Sequence, residues 1–188
     1  VLPNLRIRLG FTNGVIAAQT DRLETMKDQI EQILAQWTAE RPDLDASPMA
    51  VVGRISRVSR KVDTRLAATF ASHGLDAAAF DVLATLRRSG APYTLSPSEL
   101  TASTMVTSAA IAQRLNRLEE RGLVSRTKNT SDGRAKRVAL TAEGLALVER
   151  ALPDHLKTEV GILGGLSPQE RDLLAGLLAR IEATLDQQ

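Results

Sequence analysis

Apolar residues recur at intervals of three and four along most of this chain, the spacing that places them on one face of a helix. Leu23, Met26, Ile30, Ile33, Leu34 and Trp37 form a first stripe, ended by the prolines and acidic residues of "ERPDLDASP". It predicts an N-terminal helix outside the main body. After Pro48, the positions Val52, Ile55, Ser59, Val62, Leu66 and Phe70 continue the pattern, with Arg54, Arg57, Arg60, Lys61 and Arg65 on other faces, until "HGLD" closes the helix. Asp76 then caps a helix whose arc is Phe80, Val82, Leu83 and Leu86, with Asp81, Thr85 and Arg88 opposite and "RRSGAP" as the stop. "SPSE" at 96–99 is a capping box with proline at the first helical position, opening a short helix through Leu100.

Thr107 caps the next helix, whose first turn holds only Thr107, Ser108, Ala109 and Ala110. Ile111, Leu115 and Leu118 share its apolar face, and Gly122 ends it. "LVSRT" and "KRVAL" are β-prone segments joined by the polar "KNTSDGRA", which predicts a hairpin turning at Asp-Gly. Thr141 opens a further helix that Pro153 is expected to bend or break. "SPQE" at 167–170 is a second capping box, ahead of Leu173, Leu174, Leu177, Leu178, Ile181 and Leu185, a broad apolar surface for a terminal helix. The fold class expected is mainly α with a small β-hairpin wing. A short helix, a turn, a longer helix and a hairpin make a winged helix-turn-helix.

Charge sharpens this picture through its distribution. The whole chain is nearly balanced, with 24 basic and 22 acidic residues. Between Val106 and Thr141, however, eight cations (Arg114, Arg117, Arg121, Arg126, Lys128, Arg134, Lys136, Arg137) face three anions, a local +5, whereas four cations face eight anions from Ala142 onward. One basic segment followed by an acidic one is the asymmetry of a surface that meets a polyanion. Cysteine is absent, which excludes thiol chemistry and cysteine-based zinc sites, and the only histidines are His73 and His155. No metal, cofactor or catalytic constellation is expected, and no serine sits in a nucleophile elbow. The apolar runs are too short to span a membrane, so the protein is expected to be cytoplasmic. Residues 1–20 carry no helical stripe and are expected to be a disordered leader. The chain opens on Val rather than Met, and Met26 is an alternative start.

The small first turn of the 107–121 helix suits close approach to a duplex, because a recognition helix enters the major groove by its N-terminal end. At about 100° per residue, Ala109, Gln113, Asn116 and Arg117 lie opposite the apolar stripe. Glutamine and asparagine can read adenine edges, and arginine guanine or phosphate. The expected DNA-contacting set is therefore Ser108, Ala109, Gln113, Asn116 and Arg117 with Lys128, Arg134 and Lys136 of the wing. Arg134, near the hairpin tip, is placed for the minor groove or the backbone, with Asp132 able to fix its side chain. A winged helix serving as a protein-interaction module is the alternative from a different class. Salt-independent partner binding would favour it.

The run "LSPSELTASTMVTSAAIAQRLNRLEERGLVSRTKNTSDGRAKRVALTAEG" resembles the DNA-binding core of the MarR family of transcription regulators. It includes that family's wing pattern, here Asp132, Arg134, Val138, Leu140 and Thr141, although "SDGR" lacks one arginine that relatives often carry. In helix order the likeness covers roughly residues 48–187. It implies a homodimer interlocked through helices 48–73 and 142–187, a winged helix-turn-helix over about 76–141, and a pseudo-palindromic operator, with repression as the family's default.

"QWTAERPDLDASPMAVVGRISR" further resembles the urate-responsive branch, which adds an N-terminal helix, here within residues 21–47. That likeness implies a ligand site of Trp37, Asp81, Arg114 and Arg126. Its chemistry suits a small aromatic anion, which guanidinium groups bind through paired hydrogen bonds while an indole covers the ring. Arg114 lies about 60° from the centre of its helix's apolar stripe, at a border from which it can enter a cleft. The structural alternatives are a Trp37 that packs in a dimer interface, a solvated Asp81 and an Arg126 on phosphate. A different phenolic or lipophilic ligand is the other reading.

Overall fold

The computed structural model of the chain describes residues 28–104, 108–128 and 136–187. The leader, Leu23 and Met26, the Thr107 cap and the hairpin tip with Asp132 and Arg134 lie outside the described residues. Those residues fall into two compact units, one ending at Arg60 and one beginning at Lys61.

In the first unit, α1 (Gln29–Glu40) opens on Asp28, whose carboxylate accepts the Ile30 N–H at 3.1 Å. That bond, with the Arg54 and Arg57 guanidinium groups beside it, holds the Asp28 carboxyl below the usual carboxylate range. α2 (Pro48–Ser72) begins where the second stripe does. A Cβ added to its Gly53 would lie 2.8 Å from Cδ1 of Ile30, so the two helices touch closely there.

The second unit is built around α3 (Ala77–Arg88), on which Val82, Leu83 and Leu86 are fully buried. Asp76 caps it by accepting the Ala79 N–H at 2.8 Å. α4 (Pro97–Ser103), α5 (Ser108–Glu120), β3 (Lys136–Leu140) and α6 (Ala142–Ile162) all pack on α3. The result is one core in which Leu100, Leu115, Leu118, Val138 and Val148 meet the α3 arc. Thr85, expected on the outer side of α3, is buried, and Asp81 is half-buried. Packing by several elements around α3 leaves that helix a narrower outward face than its own sequence implies.

Two further features depart from the sequence pattern. The hairpin partner of β3, β2 (Val124–Lys128), is joined by a third antiparallel strand, β1 (Thr94–Leu95), in the order β1-β3-β2. Two residues cannot display a period of two, so β1 has no signal until β3 lies beside it. At Pro153, where a bend or break was expected, α6 continues. Proline forfeits one hydrogen bond to the carbonyl four residues back. Packing on both sides offsets this: Val148 and Ala151 are buried before it, and His155 after it lies 4.7 Å from the Phe80 ring and 5.4 Å from Phe70. α7 (Pro168–Leu185) opens on the expected Ser167–Glu170 capping box and has no buried residue.

Candidate nucleic-acid interface and ligand cavities

The helix-turn-helix begins at α4, where the Ser96 hydroxyl accepts the Glu99 N–H and the Glu99 carboxylate accepts the Ser96 N–H. The Ser96 backbone bond, then its hydroxyl and the nearby charge of Arg137, keep the Glu99 carboxyl below its ordinary range. Leu100 anchors this short helix in the core. Following it, α5 buries Leu115 and Leu118, each worth roughly 1.5–3 kcal/mol relative to exposure. That burial fixes the rotation of α5 and turns Gln113, Asn116 and Arg117 to solvent. Ser108 and Ala109 open the helix. Gly122, at a φ of 67°, ends it, with the Leu123 N–H donating to the Leu118 carbonyl at 2.9 Å.

The wing is tied to this helix by Arg126, which sits in the middle of β2 opposite Val138. Its Nη2 donates to Oδ1 of Asn116 at 2.8 Å, and its Nε lies 3.5 Å from Glu119. On the other side of the sheet, Arg137 of β3 donates to the Thr94 carbonyl at 3.3 Å. Lys128 and Lys136 stand opposite each other at the far end of the described hairpin register. Arg126 thus joins α5 to the sheet.

Arg114 takes a different direction from its neighbours on α5. Its side chain is 22% exposed, and Nη1 bonds to the second carboxylate oxygen of Asp76. Asp76 therefore caps α3 with one oxygen and holds α5 with the other. The Arg114 Nε is buried without a hydrogen-bond partner among the described residues. The Arg114 residue borders a cavity of about 330 Å³ lined by Asp76, Arg117 and Arg121 among others.

Asp81 lines another cavity, of about 930 Å³, with Phe70, Phe80, Arg87, Leu152 and His155 on its walls. Within the second unit, then, Asp81, Arg114 and Arg126 do not share one cavity: Arg114 is on Asp76 and Arg126 on Asn116. Trp37 belongs to the first unit and is 43% exposed. The sequence pattern identified Asp76 as a cap and missed it as the partner of Arg114. It also missed Arg121, although the spacing of Arg114, Arg117 and Arg121 places all three on one helical stripe.

The sequence profile described as MarR family matches residues 73–135, from the end of α2 into the wing. The chain is also 42% identical over 157 residues to the HTH-type transcriptional regulator PecS of Dickeya dadantii, covering 84% of this chain and 95% of that protein. The chain belongs to the MarR family. Among other relatives, the HTH-type transcriptional repressor YetL of Bacillus subtilis is 31% identical over 72% of this chain and 81% of its own length. The fold is similar to that of Bordetella bronchiseptica BpsR, a structure described as showing how 6-hydroxynicotinic acid regulates its DNA binding. That likeness has a TM-score of 0.64 at 29% identity, over 70% of this chain and 92% of BpsR. Like other MarR-family members, the chain is a DNA-binding transcription regulator and not an enzyme. Among the described residues no helix is long and apolar enough to cross a membrane.

Proposed function

We propose that the chain is a cytoplasmic repressor that binds a pseudo-palindromic operator as a homodimer and is released by a small aromatic anion such as urate. The observation that carries this is the division of labour on α5. Gln113, Asn116 and Arg117 face outward, while Arg114 turns inward onto a carboxylate that an arriving anion would replace. In this reading residues 48–188 form the regulator body, and Ser108, Ala109, Gln113, Asn116, Arg117, Lys128, Arg134 and Lys136 contact DNA. Its dimerisation helices are α2 and α6 with α7. Trp37, Asp81, Arg114 and Arg126 bind the ligand, with Trp37 on the added helix within 21–47.

α5 is anchored twice, by Arg114 on Asp76 and by Asn116 on Arg126. An anion that draws both arginines toward itself loosens both anchors and shifts the helix from its DNA-binding pose, provided it prefers the shifted state. The repressor YetL and the 6-hydroxynicotinic acid response of BpsR support repression and an aromatic acid as the class of signal. The larger cavity favours a second reading. Its walls are mostly apolar, which suits a phenolic or lipophilic ligand better than a polar purine.

A gel-shift titration on the chain's own upstream DNA, with urate, xanthine and salicylate in parallel at fixed salt, decides between them. Release by urate supports the four-residue site, and Trp37→Phe should then raise the urate needed by about tenfold. Release by salicylate alone moves the ligand to the apolar cavity. Failure to bind any duplex overturns the proposal. Arg134→Ala should weaken operator binding by roughly 5- to 100-fold and flatten its salt dependence; unaltered affinity would remove the wing from the interface.

A further inference from the structure

Arg114 and Arg117 of α5, with Arg121 one residue past its end, line the 330 Å³ cavity together at spacings of three and four residues. Like charges at that spacing weaken a helix unless something neutralises them. Asp76 is the carboxylate in the lining, and it engages Arg114. Among the described residues neither Arg117 nor Arg121 has a carboxylate partner, and the Arg114 Nε is buried unpaired. The Arg121 guanidinium lies beside Gly74: a Cβ added there would stand in ordinary contact, 3.7 Å from its Nη2. The cavity thus gathers three guanidinium groups over an apolar floor of Leu75, Ala79 and Leu118.

We propose that this cavity is an anion site for a phosphate dianion or small phosphomonoester, with Asp76 as its resident counter-ion. Three cations less one carboxylate leave two positive charges. A phosphate monoester carries about −1.5 to −2 at neutral pH, a closer match than the single charge of a backbone diester. Guanidinium groups bind such oxygens in pairs. A volume of about 330 Å³ holds a phosphate and a small organic group. Arg117 is also an outward residue of the recognition helix, so an anion held here neutralises a group that faces the operator. Anion and operator then oppose each other, and by linkage each weakens the other's binding equally.

The site requires neither Trp37, Asp81 nor Arg126, and it can fail while the aromatic-anion proposal stands. The test is calorimetric titration of the full-length protein with inorganic phosphate. Operator binding is measured in parallel in phosphate and in chloride at matched ionic strength. Arg121→Gln should weaken phosphate uptake by about tenfold and shrink the phosphate-specific loss of operator affinity by a similar factor. Asp76→Ser keeps an oxygen to cap α3 but removes the competing charge, and should tighten phosphate binding by about tenfold. Circular dichroism melts establish that each variant is folded, and Arg121→Gln alone decides if Asp76→Ser is not.

Equal phosphate affinity in parent and folded variants overturns the site, as does a phosphate effect no larger than that of chloride. Tighter operator binding by Asp76→Ser without uptake of free phosphate would assign the cluster to the DNA backbone and likewise overturn it.

Discussion

Gly144→Ala is expected to destabilise the protein by about 3 kcal/mol, lowering its melting temperature on the order of 10 °C. An added Cβ would stand 1.9 Å from the carbonyl oxygen of Leu123 and 2.9 Å from its carbonyl carbon. These are backbone atoms of the segment leading from the recognition helix into β2, so they cannot swing aside as a side chain would. The same joint is fixed twice more. The Thr141 hydroxyl donates to the Gly122 carbonyl at 2.7 Å and accepts the Gly144 N–H at 3.0 Å. A methyl group at 144 must therefore push α6 away from the wing or distort the Thr141 cap. Gly161→Ala, with nothing within 4 Å of the new atom, is the control and should be neutral or slightly stabilising. A Gly144→Ala melt within a degree or two of the parent would disprove the close approach.

Leu177→Asp should break the proposed homodimer into monomers and reduce operator affinity on the order of a hundredfold, because a monomer engages one half-site where a dimer engages two. Leu174, Leu177, Leu178 and Ile181 of α7 remain 39–44% exposed in the single chain, and Leu173 and Leu185 more so. Contiguous apolar surface of this kind marks a protein interface. A carboxylate at its centre would be desolvated without a partner in the proposed dimer. Light scattering with size-exclusion chromatography reads the oligomeric state, and fluorescence anisotropy reads the affinity. A Leu177→Asp dimer with parental operator affinity would place the dimer contact on other surfaces.

The outward face of α5 was legible in the sequence because its causes are local. Leu115 and Leu118 must face the core, and a rotation of about 100° per residue then decides where Gln113, Asn116 and Arg117 point. The residues proposed for the ligand site could be read for their positions along the chain, but their partners could not. Arg114 was placed correctly at the border of its stripe, but whether it meets Asp81 or Asp76 depends on how α3 and α5 cross, and nothing within α5 encodes that. The structure gives it Asp76, 38 residues away in sequence. Arg126 is similar: its β-strand could be read, but its bond to Asn116 requires the wing to fold back on the helix.

By itself the sequence determined the capped helix starts and the outward face of α5, since caps such as Ser96 with Glu99 and Ser167 with Glu170 act within three residues and helical stripes within a few turns. The tertiary structure alone decided the β1–β3 pairing, the burial of Thr85, the continuity of α6 through Pro153, the clearance at Gly144 and the Asp76–Arg114 bond. Each of these depends on groups brought together from distant or separately packed segments. Local propensity is silent about such contacts, and where it does speak, as at Pro153, packing on both sides of the residue outweighs it.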